Sequence, residues 1–306
     1  MPLTQEERAA LAEGSLTGLS VGDAFGDQFF VLANRHLSAE TDAPPAPWGW
    51  SDDTEMACSV VHVLNQRGRI DQDLLAESFA ARMDVGRRYG AGAYELLTRI
   101  ANGDHWHRAS RELFDGRGSY GNGAAMRIAP LGAFFSDDPA RAAEEAALSA
   151  EVTHANPEGI AGAVAVAAAA AHAAAGRGTR IAPRELIEAA LEWTTAGEYV
   201  RRGLRRALRL LGRSPREAAH ELGNGNRISA QDTVPFVLWA AATRLTDYEA
   251  AVRACVAVGG DMDTTAAMTG GIVAAHLGPE AVPAAWLAAR EPLPDWLARP
   301  DTAGEI

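Results

Sequence analysis

The sequence predicts an all-α protein, and three observations carry that expectation. Apolar residues recur at helical spacing, strong helix formers fill the same windows, and strand-like alternation is almost absent. The windows are 5–22, 54–66, 71–83, 138–151, 157–175, 184–212, 232–243, 247–257 and 264–276.

Each window has local signals. The first runs into Gly22-Asp23-Ala24-Phe25-Gly26, which reads as a C-cap and turn. Asp23, following a long apolar face, is expected to enter a cleft or pair with another group. Ser136-Asp137-Asp138-Pro139, Asn156-Pro157-Glu158 and Ala182-Pro183 read as helix starts. In the second of these an N-cap precedes proline at the first helical position, then an acid in the first turn. Gly212 and Gly278 read as helix stops. The alanine-rich stretch Ile160 to Ala175 suits close packing in a crowded helical core, and reads as too short to span a bilayer. The Gly- and Pro-rich stretches at 34–50, 86–92, 115–123 and 222–230 are short, and no fixed-period repeat is visible. One domain over residues 1–306 is expected, with function on the loops.

Composition narrows the function classes. The formal charge of −12 argues against a dedicated nucleic-acid or anionic-membrane binder. It leaves room for a small anionic ligand held by backbone N–H groups or a metal. Cys58 and Cys255 lie on predicted helices and read as buried thiols, not a disulfide framework. The segment from Met1 to Arg8 is charged and lacks an apolar signal core, so a cytoplasmic location is the simplest expectation.

Two acidic clusters stand about two hundred residues apart: Ser51-Asp52-Asp53-Thr54 and Asp261-Met262-Asp263-Thr264. Each precedes a predicted helix, and capping explains one residue in each. Packed carboxylates beside hydroxyls also form the oxygen-donor set that a hard divalent cation takes. Gly118-Ser119-Tyr120-Gly121-Asn122-Gly123 is either a tight turn or a nest whose N–H groups converge on a phosphate. Arg88-Tyr89-Gly90-Ala91-Gly92 is a shorter loop of the same kind. His154, just before the Pro157 helix, is either a structural hydrogen-bonder or a ligand contact near exposed helix N–H groups.

Six motifs occur in order. They are Gly22-Asp23-x-x-Gly26, Ser51-Asp52-Asp53-Thr54-x-Met56, Tyr89-Gly90-x-Gly92, the 118–123 loop through Met126-Arg127-x-x-Pro130, Thr153-His154-x-x-Pro157-x-x-x-x-Gly162-Ala163, and Gly259-Gly260-Asp261-x-Asp263-Thr264. This succession resembles the ADP-ribosylglycohydrolase family from about residue 10 to about residue 280. That family includes the dinitrogenase-reductase-activating glycohydrolases and the ADP-ribosylserine hydrolases. The 118–123 loop and the 153–163 segment look most like the serine-hydrolase branch.

The resemblance implies a compact orthogonal multi-helix bundle, two Mg²⁺ ions (Mn²⁺ in some members) and release of ADP-ribose from a modified side chain or related conjugate. By the same resemblance Ser51, Asp52, Asp53, Asp261, Asp263 and Thr264 would be metal ligands. Gly90, Gly92, Gly118, Ser119, Gly121, Asn122 and Gly123 would cradle the diphosphate. Tyr120 would lie near the adenosine, His154 would bond a ligand hydroxyl or phosphate, and Asp23 would belong to the substrate cleft. Asp53 or Asp263 is expected to act as general base on water, with an oxocarbenium-like transition state. Trp48-Gly49-Trp50, Asp104-His105-Trp106-His107 and Asn224-Gly225-Asn226 are candidate contacts for the leaving group.

One position departs from the family pattern. Many members carry a glutamate four residues after the second glycine of Gly-Asp-x-x-Gly, and here that residue is Phe30. Phenylalanine neither gives nor takes a proton, so Asp53, Asp27 or Glu55 would have to serve, or the leaving group needs no such help. The competing expectation is an ADP-ribose-binding protein that has kept the pocket and lost the chemistry.

Overall fold

The computed structural model describes residues 2–298, and among these it contains helices and turns but no β-strand. Helix α1 (Gln5–Asp27) opens with a capping box between Thr4 and Glu7. It does not stop at Gly22. It continues through Asp23 to Asp27, so the expected C-cap and turn are helical.

Packing explains that continuation. Gly18, Gly22 and Gly26 recur every four residues, and each presses on the last long helix of the chain, Met262–Leu277. A Cβ on Gly22 would lie 2.3 Å from the Ala266 carbonyl oxygen, and one on Gly26 would lie 2.5 Å from that of Met262. The partner helix answers with Gly270, whose Cβ would meet the Gly18 oxygen at 2.5 Å. These backbones approach only because neither side carries a side chain there. The resulting seam is the most extensive helix pairing in the molecule.

The remaining helices follow in order. After α1 come α2 (Asp52–Arg67), α3 (Gln72–Arg82), α4 (Ala91–Ala101) and α5 (Trp106–Gly116). Next are α6 (Gly123–Met126), α7 (Ala129–Phe134), α8 (Pro139–Glu151) and α9 (Pro157–Ala175). The second half holds α10 (Pro183–Trp193), α11 (Glu198–Arg209), α12 (Pro215–Leu222), α13 (Ala230–Thr243), α14 (Tyr248–Val256), α15 (Met262–Leu277) and α16 (Ala284–Ala289). The starts at Asp138 and Asn156 form as expected, each side chain accepting from a first-turn N–H.

The 184–212 window is two helices rather than one. The chain breaks at residues 194–197, where Gly197 takes φ +75°. Glu158 of α9 then accepts from the N–H groups of Tyr199 and Val200 at 3.0 and 2.9 Å, capping α11 from another helix. Gly212 is not a helix stop, since α11 ends at Arg209; Gly278 is one, with φ +95°. The short helices α4 to α7, α12 and α16 fall outside the periodic windows.

Helix α9 lies at the centre, packed by α6, α7, α8, α10, α11, α13 and α15. By length and composition it is long and apolar enough to cross a membrane, contrary to the expectation from sequence. Its apolar window is 78% buried inside the protein, so its alanines serve helix packing. Cys58 and Cys255 are buried free thiols, and burial pushes both above the usual thiol range.

Candidate active site

The two acidic clusters meet at the end of the α1–α15 seam. Ser51 caps α2, its hydroxyl accepting from the Asp53 N–H at 3.2 Å. Asp261 holds the N-cap position of α15 but makes no side-chain cap bond, so capping does not explain its carboxylate. Asp23 joins the halves. Its carboxylate accepts from the Ser51 N–H and hydroxyl, the latter at 2.8 Å, and from the Thr54 N–H at 3.1 Å and hydroxyl at 2.5 Å.

Carboxylate oxygens of Asp23, Asp53 and Asp263 all lie within 4.8 Å of one another. The Ser51 hydroxyl also faces Asp53 Oδ2 at 3.0 Å, and Thr264 Oγ1 lies 3.3 Å from the same oxygen. Asp53 Oδ1 is buried with no hydrogen-bond partner. An orphaned buried oxygen is costly, and a cation would satisfy it. Asp52 and Asp261 stand outside the close triad but inside its electrostatic reach. Asp23, expected to enter a cleft or pair with another group, is a bonded member of the acidic cluster.

These carboxyls all titrate above their ordinary range. Burial, eased by the Thr54 and Ser51 bonds, puts Asp23 at about 6. Burial and the neighbouring Asp23 put Asp52 at about 8. Asp53 and Asp263 are raised further, by burial first and then by adjacent carboxylates. The folded chain therefore binds more protons than the unfolded chain between about pH 4 and pH 8. Its metal-free stability falls as pH rises through that window. A cation replaces those protons. The thermal shift produced by Mg²⁺ should accordingly be larger at pH 8 than at pH 6, and a chelator should abolish it. At a hundredfold excess over Kd the stabilisation should approach about 2.7 kcal/mol. Melting curves at both pH values check this; a shift that shrinks with pH contradicts it.

The glycine loop sits beside the cluster. Gly118 has φ +68°, and a Cβ there would strike the Asn156 backbone at 2.8 Å. The imidazole of His154 lies under the loop, 3.2 Å from where a Gly121 Cβ would be and 3.1 Å from that of Gly123. Asn122 turns the other way: its amide donates to Asp261 Oδ2 at 2.7 Å and to Thr233 Oγ1 at 3.1 Å. Its side chain ties the loop to the acidic cluster. Ser119 Oγ accepts from the Gly121 N–H, shaping the turn.

His154 is neutral. Burial, then the nearby Arg127 guanidinium, lowers its pKa to about 3. Arg127 is wholly buried; it donates to Thr153 Oγ1 and the Ser149 carbonyl at 2.9 Å and stacks 4.6 Å from the Phe79 ring. Thr153 Oγ1 stands 2.7 Å from His154 Nδ1. Arginine only donates, so the threonine oxygen accepts from Arg127. The Nε2 side of the imidazole faces the glycine loop.

The second loop is pinned as well. Glu55 Oε2 accepts from the Tyr89 hydroxyl at 2.7 Å and the Asp84 N–H at 3.0 Å. Arg88, at φ +65°, forms an ion pair with Asp27. Gly90 starts α4 with open space around its Cα, and a Gly92 Cβ would touch the Phe114 ring at 3.3 Å. Phe114 and Tyr120 have ring centroids 6.1 Å apart and are 48% and 42% exposed. Phe114 carries no motif that could have marked it. Its left-handed backbone, φ +53°, ends the regular part of α5 and turns the ring outward.

The candidate leaving-group tryptophans are packing residues. Trp48, Trp50 and Trp106 are buried, their indole N–H groups bonded to the Pro44 and Pro292 carbonyls and to Asp73. Asn224 braces the acidic cluster, its carbonyl accepting from the Asp261 N–H at 3.0 Å. Phe30 is 45% exposed in a short turn after α1.

A family profile for ADP-ribosylglycohydrolase matches residues 3–304. The chain belongs to the ADP-ribosylglycohydrolase family. As a member it is a glycohydrolase. It is 28% identical to the ADP-ribosylhydrolase ARH3 of Xenopus tropicalis, over 89% of each chain. It is 25% identical to the ADP-ribosyl-[dinitrogen reductase] glycohydrolase of Rhodospirillum rubrum, over 90% of this chain and 88% of that one. A solved ADP-ribosylglycohydrolase-related protein complex superposes with TM-score 0.66 at 27% identity, covering 94% of both chains. The all-α bundle described above is thus the ADP-ribosylglycohydrolase fold. In this ADP-ribosylglycohydrolase the six motifs converge on one end of the α1–α15 seam.

Proposed function

We propose that this chain is a metal-dependent hydrolase that releases ADP-ribose from an ADP-ribosylated side chain or related conjugate. The observation that carries the reading is the buried triad of Asp23, Asp53 and Asp263, with an unpartnered oxygen on Asp53. An all-oxygen set of this kind suits Mg²⁺, with Mn²⁺ as the alternative. Asp53, Asp263 and Asp261 would hold the ions, with Asp52, Ser51 and Thr264 completing the donor set. When bound, such ions supply positive charge that orients hydroxyls and acidifies water.

The chain's own groups do the rest. Asp53 or Asp263 takes the proton of the attacking water. The glycine loop and the Nε2 edge of His154 bind phosphate or hydroxyl groups away from the reacting carbon, so that binding energy positions the anomeric centre. Phe114 and Tyr120 present exposed rings beside that loop, suited to stacking on the adenine.

Replacing Phe114 and Tyr120 together by alanine should weaken ADP-ribose binding by about 1–3 kcal/mol per stacked face lost. The same change should leave melting temperature nearly unchanged, because both rings are half exposed. Calorimetric titration of ADP-ribose decides it; unchanged affinity removes the rings from the binding site.

Phe30 favours a second reading, a binding protein of the same fold without turnover. Incubation with serine-, arginine- and nucleobase-linked ADP-ribose, with Mg²⁺ or with chelator, separates the two. Mg²⁺-dependent release from any conjugate supports the hydrolase. Tight binding of free ADP-ribose with no release from any of them supports the binding protein.

A further inference from the structure

Two carboxylates border the acidic cluster without joining the triad, Glu55 and Asp27. Glu55 acts as a brace. Through Tyr89 and Asp84 it holds the segment between α3 and α4 against α2. Asp27 is tied to the same segment by an ion pair, to Arg88. It lies one helical turn beyond Asp23 on α1, so the two carboxylates project from the same face. The residue before it, Gly26, presses on the backbone of Met262 and Asp263. Asp27 therefore lies one turn from Asp23 and within its electrostatic reach.

Its surroundings are specific. Asp27 is 7% exposed, and its ion-pair partner among the described residues is Arg88. Arg88 adopts the left-handed backbone region, which is unfavourable for a residue with a Cβ and collects at functional sites. The neighbouring Tyr89–Glu55 bond keeps it there. Burial raises the Asp27 carboxyl above its ordinary range, and Arg88 works against that rise. Phe30, three residues on, offers no proton chemistry and is half exposed.

We infer that Asp27 hands a proton to the departing acceptor atom, with Arg88 holding its carboxyl in place. This inference rests on the hydrolase reading. For a serine-linked conjugate the balance is simple. The bond from water oxygen to the anomeric carbon forms, and the bond from that carbon to the serine oxygen breaks. The bonding pair stays on the serine oxygen, which takes the Asp27 proton. The water proton goes to a carboxylate of the cluster, and exchange with solvent restores both groups.

The test compares leaving groups. Serine-linked ADP-ribose leaves as an alkoxide and needs a proton; a para-nitrophenol conjugate at the anomeric carbon leaves as a stable anion and does not. In the Mg²⁺-loaded Asp27→Asn variant, turnover of the serine conjugate should fall roughly 10²–10⁴-fold while that of the nitrophenyl conjugate stays within about threefold. Asp27→Glu keeps a carboxyl and should retain turnover of the serine conjugate within about tenfold of the wild type. Equal losses on both conjugates, no loss on either, or an Asp27→Glu variant as impaired as Asp27→Asn would overturn the inference alone. Cleavage of neither conjugate by the wild-type chain would overturn it, and failure on the arginine- and nucleobase-linked conjugates as well would overturn the hydrolase reading with it.

Discussion

Asp53→Asn is expected to fold normally and to lose Mg²⁺-dependent release of ADP-ribose by roughly 10²–10⁴-fold. Asparagine copies the shape of the side chain but cannot ionise to meet a cation in the crowded cluster. Asp53 faces Asp23 and Asp263, with Asp52 and Asp261 adding to the repulsion, and burial strengthens all of it. Without metal the variant should melt at the wild-type temperature or above it, because a carboxyl that burial and its neighbours hold protonated has been replaced by a neutral amide. With metal the order should reverse, since the wild type gains stabilisation that the variant lacks. That reversal separates a ligand from a merely structural aspartate, whose loss would lower melting in both conditions. Wild-type turnover and a wild-type Mg²⁺ shift would remove Asp53 from the centre.

Gly22→Ala sets two physical effects against each other, and their magnitudes decide the sign. In an exposed helix the change stabilises by roughly 0.5–1 kcal/mol, because glycine loses more freedom on folding. In the seam, the new Cβ would stand 2.3 Å from the Ala266 carbonyl oxygen and 2.9 Å from its carbon. Both are helix backbone and cannot swing aside. Overpacking of this kind costs about 1–3 kcal/mol, occasionally more, so the clash should win and the variant should be less stable. Gly212→Ala is the control. Nothing lies within 4 Å of its would-be Cβ, and its stability should change by less than about 0.5 kcal/mol. Denaturant melts of the two variants check the contrast. A stabilised Gly22→Ala protein would mean that the seam has slack.

Much of the fold was legible because its signals are local. Asn156 and Asp138 cap the helices that their proline neighbours announce, and the long windows match long helices. What was misread depended on distant residues. Gly22 and Gly26 look like a turn until α15 is laid against them. The break at 194–197 depends on Glu158 reaching across from α9. Helices α4 to α7 are short, so their periodicity is too brief to register. At the site, residue types and order pointed to the carboxylates, but not to how they divide. That Asp23 bonds Ser51 and Thr54, or that Asn122 holds Asp261, is a relation between segments remote in sequence. Phe114 was invisible for a similar reason: only the backbone twist at the end of α5 brings it to Tyr120.

The α1–α15 seam also sets when the site can exist. One wall comes from Asp23 and the other from Asp263, so the triad spans most of the chain between its first and last members. Contacts of such long sequence separation close late, after shorter-range helix pairs have formed. During synthesis the N-terminal carboxylates emerge well before the helix that completes them. No partial chain that stops short of residue 263 contains the triad, however well its other helices have packed.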